Sequence, residues 1–349
     1  MPGWLRVILI LLLVAAAAGG FVFCRLSDAA GQFRTIAAVS PGVCRTIPAP
    51  QGPEDIVIDR AARLVFISSF DRRRMLAGQT EIRGDIYLMR LDAPDEGVVP
   101  LTSRIGAAPA DFRPHGISLY TSSDGRQTLM AVNHPLTGGH AIEIFDVTFD
   151  AAGQAQLQHR ATVRNPLLNS PNDVAAIDHD RFYATNDHGG TSDLIRQMET
   201  YLILPWANLV MWDGKAMSVA VEGLTYANGV ALSHDGGEVY VSETTGRTLR
   251  VYARDAASGS LSEKRSVFLD TGLDNVDVAD DGTLWIAAHP RMLDFAAHAY
   301  DGTKLSPSQV LKLAPGADKA ETVYLNLGDE LSGSSTGAVV SSANSLADA

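Results

Sequence analysis

The sequence predicts an all-β fold, a six-bladed β-propeller preceded by an N-terminal hydrophobic helix. Short apolar runs rich in β-branched and aromatic residues recur from about residue 50 onward, and Asp-Gly turn dipeptides separate several of them. A unit of strand, loop and strand recurs at intervals of roughly 40–55 residues, which matches blades of four strands. About 300 residues at about 50 per blade make six blades. Beyond the N-terminal segment, helical periodicity is confined to residues 194–204.

Residues 1–25 form a separate hydrophobic segment. Arg6 precedes an apolar stretch from Val7 to Phe23, and Arg25 follows it. The stretch is near the lower length limit for crossing a bilayer and just longer than the apolar part of a usual signal peptide. We therefore expect a signal-anchor or a cleaved signal peptide. Either one makes the protein membrane-anchored, secreted or periplasmic, with the membrane as a partner of the N-terminal helix.

The rest of the chain divides into three parts by composition. We assign residues 26–49 to a linker with the first strand, residues 50–340 to the β-propeller, and residues 341–349 to a disordered tail. With 46% hydrophobic residues, the 349-residue chain is ample for a large core. A closed all-β architecture of this length can form a single domain.

The charge of the chain excludes nucleic acid as a partner. The formal net charge is −12, and the longest basic run is Arg72-Arg73-Arg74. Phosphate binding needs a clustered positive face, which this run does not supply. The acidic excess favours solubility and is compatible with cation binding.

The chain has two cysteines, Cys24 and Cys44. This number excludes a zinc finger and a CxxC redox motif. The two residues could pair in an oxidising compartment or remain free, and the sequence leaves both alternatives open, as it leaves open the oligomeric state.

Pairs of oxygen-bearing residues recur at the edges of apolar runs. In a propeller, the loops that enter the innermost strands meet at the central axis, so residues in a shared register would face one ion. Hard oxygen ligands without a Cys or His cluster favour calcium or magnesium over zinc. The alternative is that Asn and Asp simply bond the nearby backbone in turns. The pairs are Glu54-Asp55, Asn172-Asp173, Asn228-Gly229 and Asp274-Asn275.

Two of the nine histidines occupy motifs of their own. His115 lies in Pro114-His115-Gly116-Ile117 and His134 in Asn133-His134-Pro135, at strand edges that suit neighbouring positions in one blade. Both are candidates for proton transfer near neutral pH, and the alternative is that each caps a strand. His188 and His289 also follow strands and could line the same face. We interpret the other histidines as surface or turn residues: His140, His159, His179, His234 and His298.

Residues 333–337 match the G-x-S-x-G nucleophile pattern around Ser335. A hydrolase elbow of this type needs a preceding strand, a following helix, and an Asp and a His later in the chain. No His follows Ser335 in this sequence, so we exclude it as a nucleophile.

The motifs resemble those of the paraoxonase/arylesterase family, whose members are six-bladed, calcium-dependent propellers distantly related to the SMP-30 and gluconolactonase propellers. The resemblance runs from about residue 40 to 340 in consistent order, and the uncleaved N-terminal helix of that family is similar to residues 7–23. It rests on Glu54-Asp55, the His115 and His134 motifs, Asn172-Asp173-Val174, Thr185-Asn186-Asp187-His188, Ala227-Asn228-Gly229 and Asp274-Asn275.

The resemblance implies two calcium ions and a hydrolase of lactones and aryl esters. Calcium would polarise the substrate carbonyl, and His115 assisted by His134 would deprotonate the attacking water. A ligand carboxylate, Glu54 or Asp274, is the alternative base. The implied ligands of the catalytic ion are Glu54, Asn172, Asn228, Asp274 and Asn275, and those of the structural ion are Asp55, Asp173 and the carbonyl of Ile117.

The sequence departs from the family at its C-terminal end. The family closes its propeller with a final strand whose Cys pairs with one near the N-terminus, and Cys44 stands where that first Cys is expected. Residues 341–349 show neither the strand nor the Cys, so we expect the closing strand and its disulfide to be missing and the stability to be lower than in relatives. Two alternative functions stay open. One is a sugar lactonase of the gluconolactonase type with a single metal, and the other is a non-catalytic propeller scaffold stabilised by calcium.

Overall fold

The computed structural model describes residues 2–40, 42–103 and 108–340, which form an N-terminal helix and five four-stranded antiparallel sheets. Each sheet consists of four consecutive strands and forms one blade, with its first strand nearest the axis.

Blade 1 contains β1 (Pro53–Asp59), β2 (Leu64–Ser69), β3 (Asp85–Arg90) and β4 (Val98–Pro100). Blade 2 contains β5 (Pro114–Thr121), β6 (Gln127–Asn133), β7 (Ala141–Phe149) and β8 (Ala155–Val163). Blade 3 contains β9 (Pro171–Ala176), β10 (Phe182–Asn186), β11 (Ala207–Trp212) and β12 (Met217–Leu224). Blade 4 contains β13 (Ala227–Leu232), β14 (Glu238–Glu243), β15 (Thr248–Arg254) and β16 (Leu261–Phe268). Blade 5 contains β17 (Gly272–Val278), β18 (Leu284–His289), β19 (Ser308–Leu313) and β20 (Glu321–Asn326).

Helix α1 (Gly3–Ala29) contains the predicted apolar segment. Within the described ranges it is the one helix long and apolar enough to cross a membrane, and its apolar span is not buried against the protein. A signal sequence has the same length and composition, so the helix fits either a signal anchor or a secretion signal.

Three helices connect the second strand of a blade to the third, which places them at one end of the propeller. They are α2 (Arg72–Leu76), α3 (Asp193–Leu202) and α4 (Met292–Tyr300). Helix α3 corresponds to the helical periodicity in the sequence, and it begins after Ser192, whose hydroxyl accepts a hydrogen bond from the N–H of Ile195.

The predicted Asp-Gly turns form the tight connections between strands. A left-handed conformation at the second turn position favours glycine, because a Cβ atom would be strained there. Gly125, Gly214, Gly236 and Gly282 all have φ between 67° and 94° and join consecutive antiparallel strands. These four hairpin predictions are confirmed, whereas the fifth predicted Asp-Gly turn, Asp301-Gly302, follows α4 and does not form a hairpin.

The hydrophobic core consists of four clusters, one between each pair of consecutive blades. Between blades 1 and 2, for example, Phe66, Phe112 and Phe145 are fully buried. Full burial of such a side chain stabilises the fold by roughly 1.5–3 kcal/mol. The core therefore fixes each blade against the next.

The predicted all-β propeller with an N-terminal hydrophobic helix is confirmed, and the described residues form five four-stranded blades rather than the predicted six. Residues 335–339 lie between β17 and β1: the N–H of Asn275 donates to the carbonyl of Ser335 at 3.1 Å, and the hydroxyl of Ser335 donates to the carbonyl of Glu54. Residues 335–339 form no regular strand, although they bond to both neighbouring inner strands. The helices α2, α3 and α4 also lengthen their blades, so dividing the chain by a typical blade length overestimates the number of blades.

Both cysteines are free and exposed, so Cys24 and Cys44 do not form the disulfide that the sequence left open. The chain before β1 joins the propeller at Val39, which pairs with Leu325 of β20 in an antiparallel bridge. The predicted tail, residues 341–349, lies outside the described residues.

One ion pair links the first and fifth blades near the axis. Arg60 Nη2 lies 2.5 Å from Asp277 Oδ2, Arg60 Nε donates to the carbonyl of Val339 at 3.3 Å, and the two charged side chains are 20% and 14% exposed. We expect Arg60→Met to lower the free energy of unfolding by about 3–5 kcal/mol, because it leaves the Asp277 carboxylate buried without its partner. Adding Asp277→Leu should recover most of that loss in urea unfolding.

The exposed pair of Arg126 and Asp124 provides the control, and Arg126→Met should change the unfolding free energy little. If Arg60→Met were as mild as Arg126→Met, the Arg60–Asp277 pair would not hold blades 1 and 5 together.

Candidate active site

Every inner strand carries a β-bulge at the same place. In each blade, two consecutive residues of the first strand lie opposite one residue of the second, so the ladder skips at that point. A bulge bends its strand and redirects its side chains, and bulges are common next to active sites. The five bulge pairs are Glu54-Asp55, His115-Gly116, Asn172-Asp173, Asn228-Gly229 and Asp274-Asn275. The four oxygen pairs and His115 from the sequence thus occupy equivalent positions around the axis.

A hydroxyl on the second strand binds the extra N–H of three bulges. A bulge leaves one residue unpaired in the ladder, and a buried unpaired N–H is costly. The donor is the second residue of the pair, and the acceptor lies directly opposite the bulge. These bonds are Asp55 N to Ser68 Oγ at 3.0 Å, Asp173 N to Thr185 Oγ1 at 3.0 Å, and Gly229 N to Ser242 Oγ at 2.8 Å.

Two of these hydroxyls also bind the next blade. Thr185 donates to the carbonyl of Asn228 at 2.5 Å, and Ser242 donates to the carbonyl of Asp274 at 2.6 Å. Each hydroxyl therefore fixes the bulge of its own blade and the bulge of its neighbour. The positions of the site residues depend on this chain of inter-blade bonds.

Glycine at two bulges permits close contact between inner strands. A Cβ atom on Gly116 would lie 2.3 Å from Oδ1 of Asp173, and one on Gly229 would lie 2.7 Å from Cα of Asn275. No side chain fits at such distances. The absence of a side chain allows the next blade's carboxylate or backbone to approach the axis.

Four buried oxygen atoms at the bulges have no hydrogen-bond partner among the described residues. Each comes from a residue at most 7% exposed, and together they come from four blades. A buried acceptor without a hydrogen-bond partner is rare. Several such oxygen atoms facing one region are the kind of ligands that a hard cation such as calcium binds. The atoms are Glu54 Oε2, Asn172 Oδ1, Asn228 Oδ1 and Asn275 Oδ1. The residues present therefore fit the implied ion.

Most of these donors are carboxamides rather than carboxylates. Over the described ranges, no group of three or more His, Cys, Asp or Glu side chains has the arrangement of a metal site. Asp274 is 4% exposed, and its Oδ2 lies 2.6 Å from His289 Nε2. His289 in turn stacks on Phe295 with ring centroids 3.6 Å apart, which fixes the carboxylate of Asp274.

A second pair of carboxylates lies deeper along the axis. Asp55 Oδ2 accepts from the N–H of Ile117 at 2.8 Å, and Asp173 Oδ2 accepts from the N–H of Val230 at 2.7 Å. Each carboxylate thus binds the inner strand of the following blade. Asp55, Asp173 and Ile117 line an axial cavity of about 210 Å³, together with Asn275 and Thr336.

The buried carboxylates repel one another electrostatically. Burial, and then the charge of Glu54, raise the pKa of Asp55 to about 7. Burial, and then the charge of Asp55, raise the pKa of Asp173 well above its usual range. Burial also raises the pKa of Glu54 and of Asp274. A cation bound between these groups would remove the repulsion and favour their charged forms.

The two predicted catalytic histidines are in direct contact. His115 Nδ1 lies 2.9 Å from His134 Nε2, and His115 Nε2 lies 3.5 Å from Glu54 Oε1. Burial, and then the charge of Arg72, lower the pKa of His115 to about 3, and burial lowers that of His134. Both imidazoles are therefore neutral near pH 7, so each ring has one bare nitrogen.

A third histidine joins them, which corrects the interpretation of His140 as a surface or turn residue. His140 is half-buried, and its Nδ1 lies 2.9 Å from His134 Nδ1. The hairpin of β6 and β7 could have indicated this contact. Asn133 pairs with Ala141, so His134 and His140 face each other just beyond that pair. His188 also lies on this face, with its Nδ1 2.7 Å from Asp187 Oδ1.

The segment of the rejected G-x-S-x-G pattern contributes to the site without acting as a nucleophile. Thr336 Oγ1 donates to Asp55 Oδ1 at 2.9 Å, and Asn275 Nδ2 donates to Thr336 Oγ1 at 3.2 Å. Ser335 binds the carbonyl of Glu54. Sequence reasoning excluded this segment from nucleophilic chemistry but did not place it beside the oxygen pairs.

A family model described as Arylesterase matches residues 37–346. The chain belongs to the arylesterase family. It is 34% identical to serum paraoxonase/arylesterase 1 of Mus musculus over 262 residues, covering 73% of this chain and 72% of that protein. It is 30% identical to serum paraoxonase/arylesterase 2 of Rattus norvegicus over 338 residues, covering 95% of this chain and 94% of that protein. The family resemblance in the sequence is confirmed, and this arylesterase-family protein is an enzyme.

The hydroxyl of Thr185 should be necessary for the site of this arylesterase-family protein to form correctly. Thr185→Val keeps the shape of the buried side chain but leaves the N–H of Asp173 and the carbonyl of Asn228 unpaired. We expect it to lower the free energy of unfolding by about 1–3 kcal/mol, measured by urea unfolding. Thr185→Ser, which keeps the hydroxyl, should lose less than Thr185→Val.

The exposed strand residue Thr148 supplies the matched control, since Thr148→Val removes a hydroxyl that faces solvent. Equal stability of the Val and Ser variants at position 185 would show that the inter-blade bond does not contribute.

Proposed function

We propose that the protein is a calcium-dependent hydrolase of lactones and aryl esters. The observation that carries the proposal is the group of four unpaired, buried oxygen atoms from four blades, next to a neutral histidine pair. Membership in the arylesterase family supports the reaction class. Relatives bearing the name serum paraoxonase/arylesterase support ester substrates.

The catalytic ion would be held at the bulges. Their amide and carboxylate oxygens are ligands that suit calcium, and five of them leave positions open on a cation that takes six to eight. Calcium, when bound, polarises a substrate carbonyl and stabilises negative charge on its oxygen. The proposed ligands are Glu54, Asn172, Asn228, Asp274 and Asn275.

His115 would act as the general base. Its Nε2 is free of a histidine partner and lies beside Glu54, whereas its Nδ1 contacts His134. A neutral imidazole in this position can take a proton from the attacking water while His134 holds the ring in orientation. Glu54 and Asp274 are the alternative bases, and Asp274 is already engaged by His289.

A second ion would stabilise the propeller. The charge of Glu54 raises the pKa of Asp55, the charge of Asp55 raises the pKa of Asp173, and each of the two aspartates already binds the next blade. A cation between them, completed by the carbonyl of Ile117, would hold three inner strands together. Two separate carboxylate sets favour two ions over the single metal of a gluconolactonase-type enzyme.

Helix α1 would keep the enzyme at a membrane or direct its export. The helix lies outside the propeller core, and its apolar span is not covered by the described residues. We propose a membrane-anchored, secreted or periplasmic enzyme that acts on small esters or lactones.

Activity assays test the proposal and its alternatives together. Purified protein should hydrolyse phenyl acetate and a long-chain acyl-homoserine lactone, lose that activity with a calcium chelator, and recover it with added calcium. Asn172→Ala and Asp274→Ala should abolish turnover, and His115→Gln should lower kcat by roughly 10²–10⁴-fold. Controls are Asn165→Ala, in a loop after β8, and His179→Gln, whose imidazole contacts Thr128 and Ser122.

Each outcome decides between the alternatives. Preference for a sugar lactone with a single bound metal would identify the gluconolactonase type. Inactivity on phenyl acetate, the acyl-homoserine lactone and the sugar lactone, with or without a chelator, would identify a scaffold. If His115→Gln keeps most of its turnover while Asp274→Ala abolishes it, the base is a carboxylate rather than His115.

A further inference from the structure

Three imidazoles form a continuous hydrogen-bonded line from the buried site outward. His115 Nδ1 lies 2.9 Å from His134 Nε2, and His134 Nδ1 lies 2.9 Å from His140 Nδ1. We propose that His140 is the outer member of a three-histidine proton relay, which exchanges protons between the base His115 and solvent. This inference rests on the proposed function.

The line uses both nitrogens of the central imidazole. A neutral imidazole has one N–H donor and one bare nitrogen acceptor, so it can accept a proton on one side and release one on the other. With N–H groups at Nδ1 of His115, Nδ1 of His134 and Nε2 of His140, every contact has one donor and one acceptor. Nε2 of His115 is then the bare nitrogen, on the side of Glu54.

The hairpin between β6 and β7 sets the position of His140. Gly138 and Gly139 both have positive φ, 85° and 75°, which brings the chain back sharply onto β7. Arg164 Nη1 donates to both glycine carbonyls and holds the turn. The backbone geometry of this turn therefore fixes the position of His140.

His140 lies at the outer end of this line, in the loop that joins β6 to β7, and it is half-buried. Burial, and then the charge of Arg196, lower the pKa of His140, and the charge of Asp187 acts in the opposite direction. The side chain of His115 is 17% exposed, and its Nδ1 is engaged by His134, so the line continues from His115 through His134 to His140.

Ester hydrolysis requires one proton to leave the site and one to return, and the relay would carry both. When water attacks the carbonyl, its proton goes to Nε2 of His115, one proton moves along each contact, and Nε2 of His140 releases one to solvent. When the alkoxide leaves, it takes the proton from Nε2 of His115, and the relay draws one in at His140. The carboxylic acid then ionises, so hydrolysis releases one proton per turnover and the imidazoles return to their starting forms.

Proton inventories on position 140 variants test the relay. His140→Gln keeps a hydrogen-bonding group beside His134 but does not pass a proton on, and His140→Phe removes the contact. For a lactone substrate with calcium, both should lower kcat roughly ten-fold with little change in KM, because proton transfer is coupled to attack. The curved dependence of wild-type kcat on the D₂O fraction should become linear. The control is His179→Gln, whose imidazole contacts Thr128 and Ser122.

The outcomes are distinguishable. An active wild type whose kcat and curvature are unchanged in both variants would overturn the relay and leave the proposed function intact. A loss of kcat with unchanged curvature would reduce His140 to a positioning residue and also overturn the relay. A wild type inactive on esters and lactones would overturn both proposals.

A measurement on the wild type does not depend on how the variants fold. In protein labelled with ¹⁵N at histidine, the relay predicts two N–H···N couplings that connect His134 to each of the other two imidazoles. Absence of the coupling between His134 and His140 would contradict the relay.

Discussion

The bulge at the head of each inner strand is the constraint on which the rest of the structure depends. It puts two residues where an ordinary ladder has one, and it leaves an N–H that must find a partner. Hydroxyls opposite three of the five bulges supply that partner, and Thr185 and Ser242 extend the bond to the next blade. Because these bonds tie the bulges of blades 3, 4 and 5 to one another, the site residues on those blades hold their positions at the axis.

The same geometry explains the electrostatics of the site. Five bulges facing one axis concentrate acceptor atoms and carboxylates where water is scarce, which raises the pKa of Glu54, Asp55 and Asp274 through burial. A fold that gathers this much negative charge in its interior is stable only if hydrogen bonds or cations compensate it. Backbone N–H groups compensate Asp55 and Asp173 in part, and four other oxygens remain without partners among the described residues.

The sequence was sufficient to find most of the residues at the axis but not how they are held. Asx residues at the start of apolar runs identified the oxygen pairs, and two distinctive motifs identified His115 and His134. The bulges stayed hidden because the register between strands is a property of two segments together. His140 was missed for the same reason, since only the pairing of Asn133 with Ala141 places it beside His134. The blade count from the sequence exceeds the five described blades in part because helices lengthen blades 1, 3 and 5.

The central claim is that the bulges direct oxygens from separate blades onto two bound cations. Crystals soaked in calcium, with data collected to reveal anomalous scattering, test it most directly. We expect two peaks: one about 2.3–2.6 Å from oxygens of Glu54, Asn172 and Asn228, and one between Asp55 and Asp173. No peak at the axis, or peaks only at surface carboxylates, would contradict it.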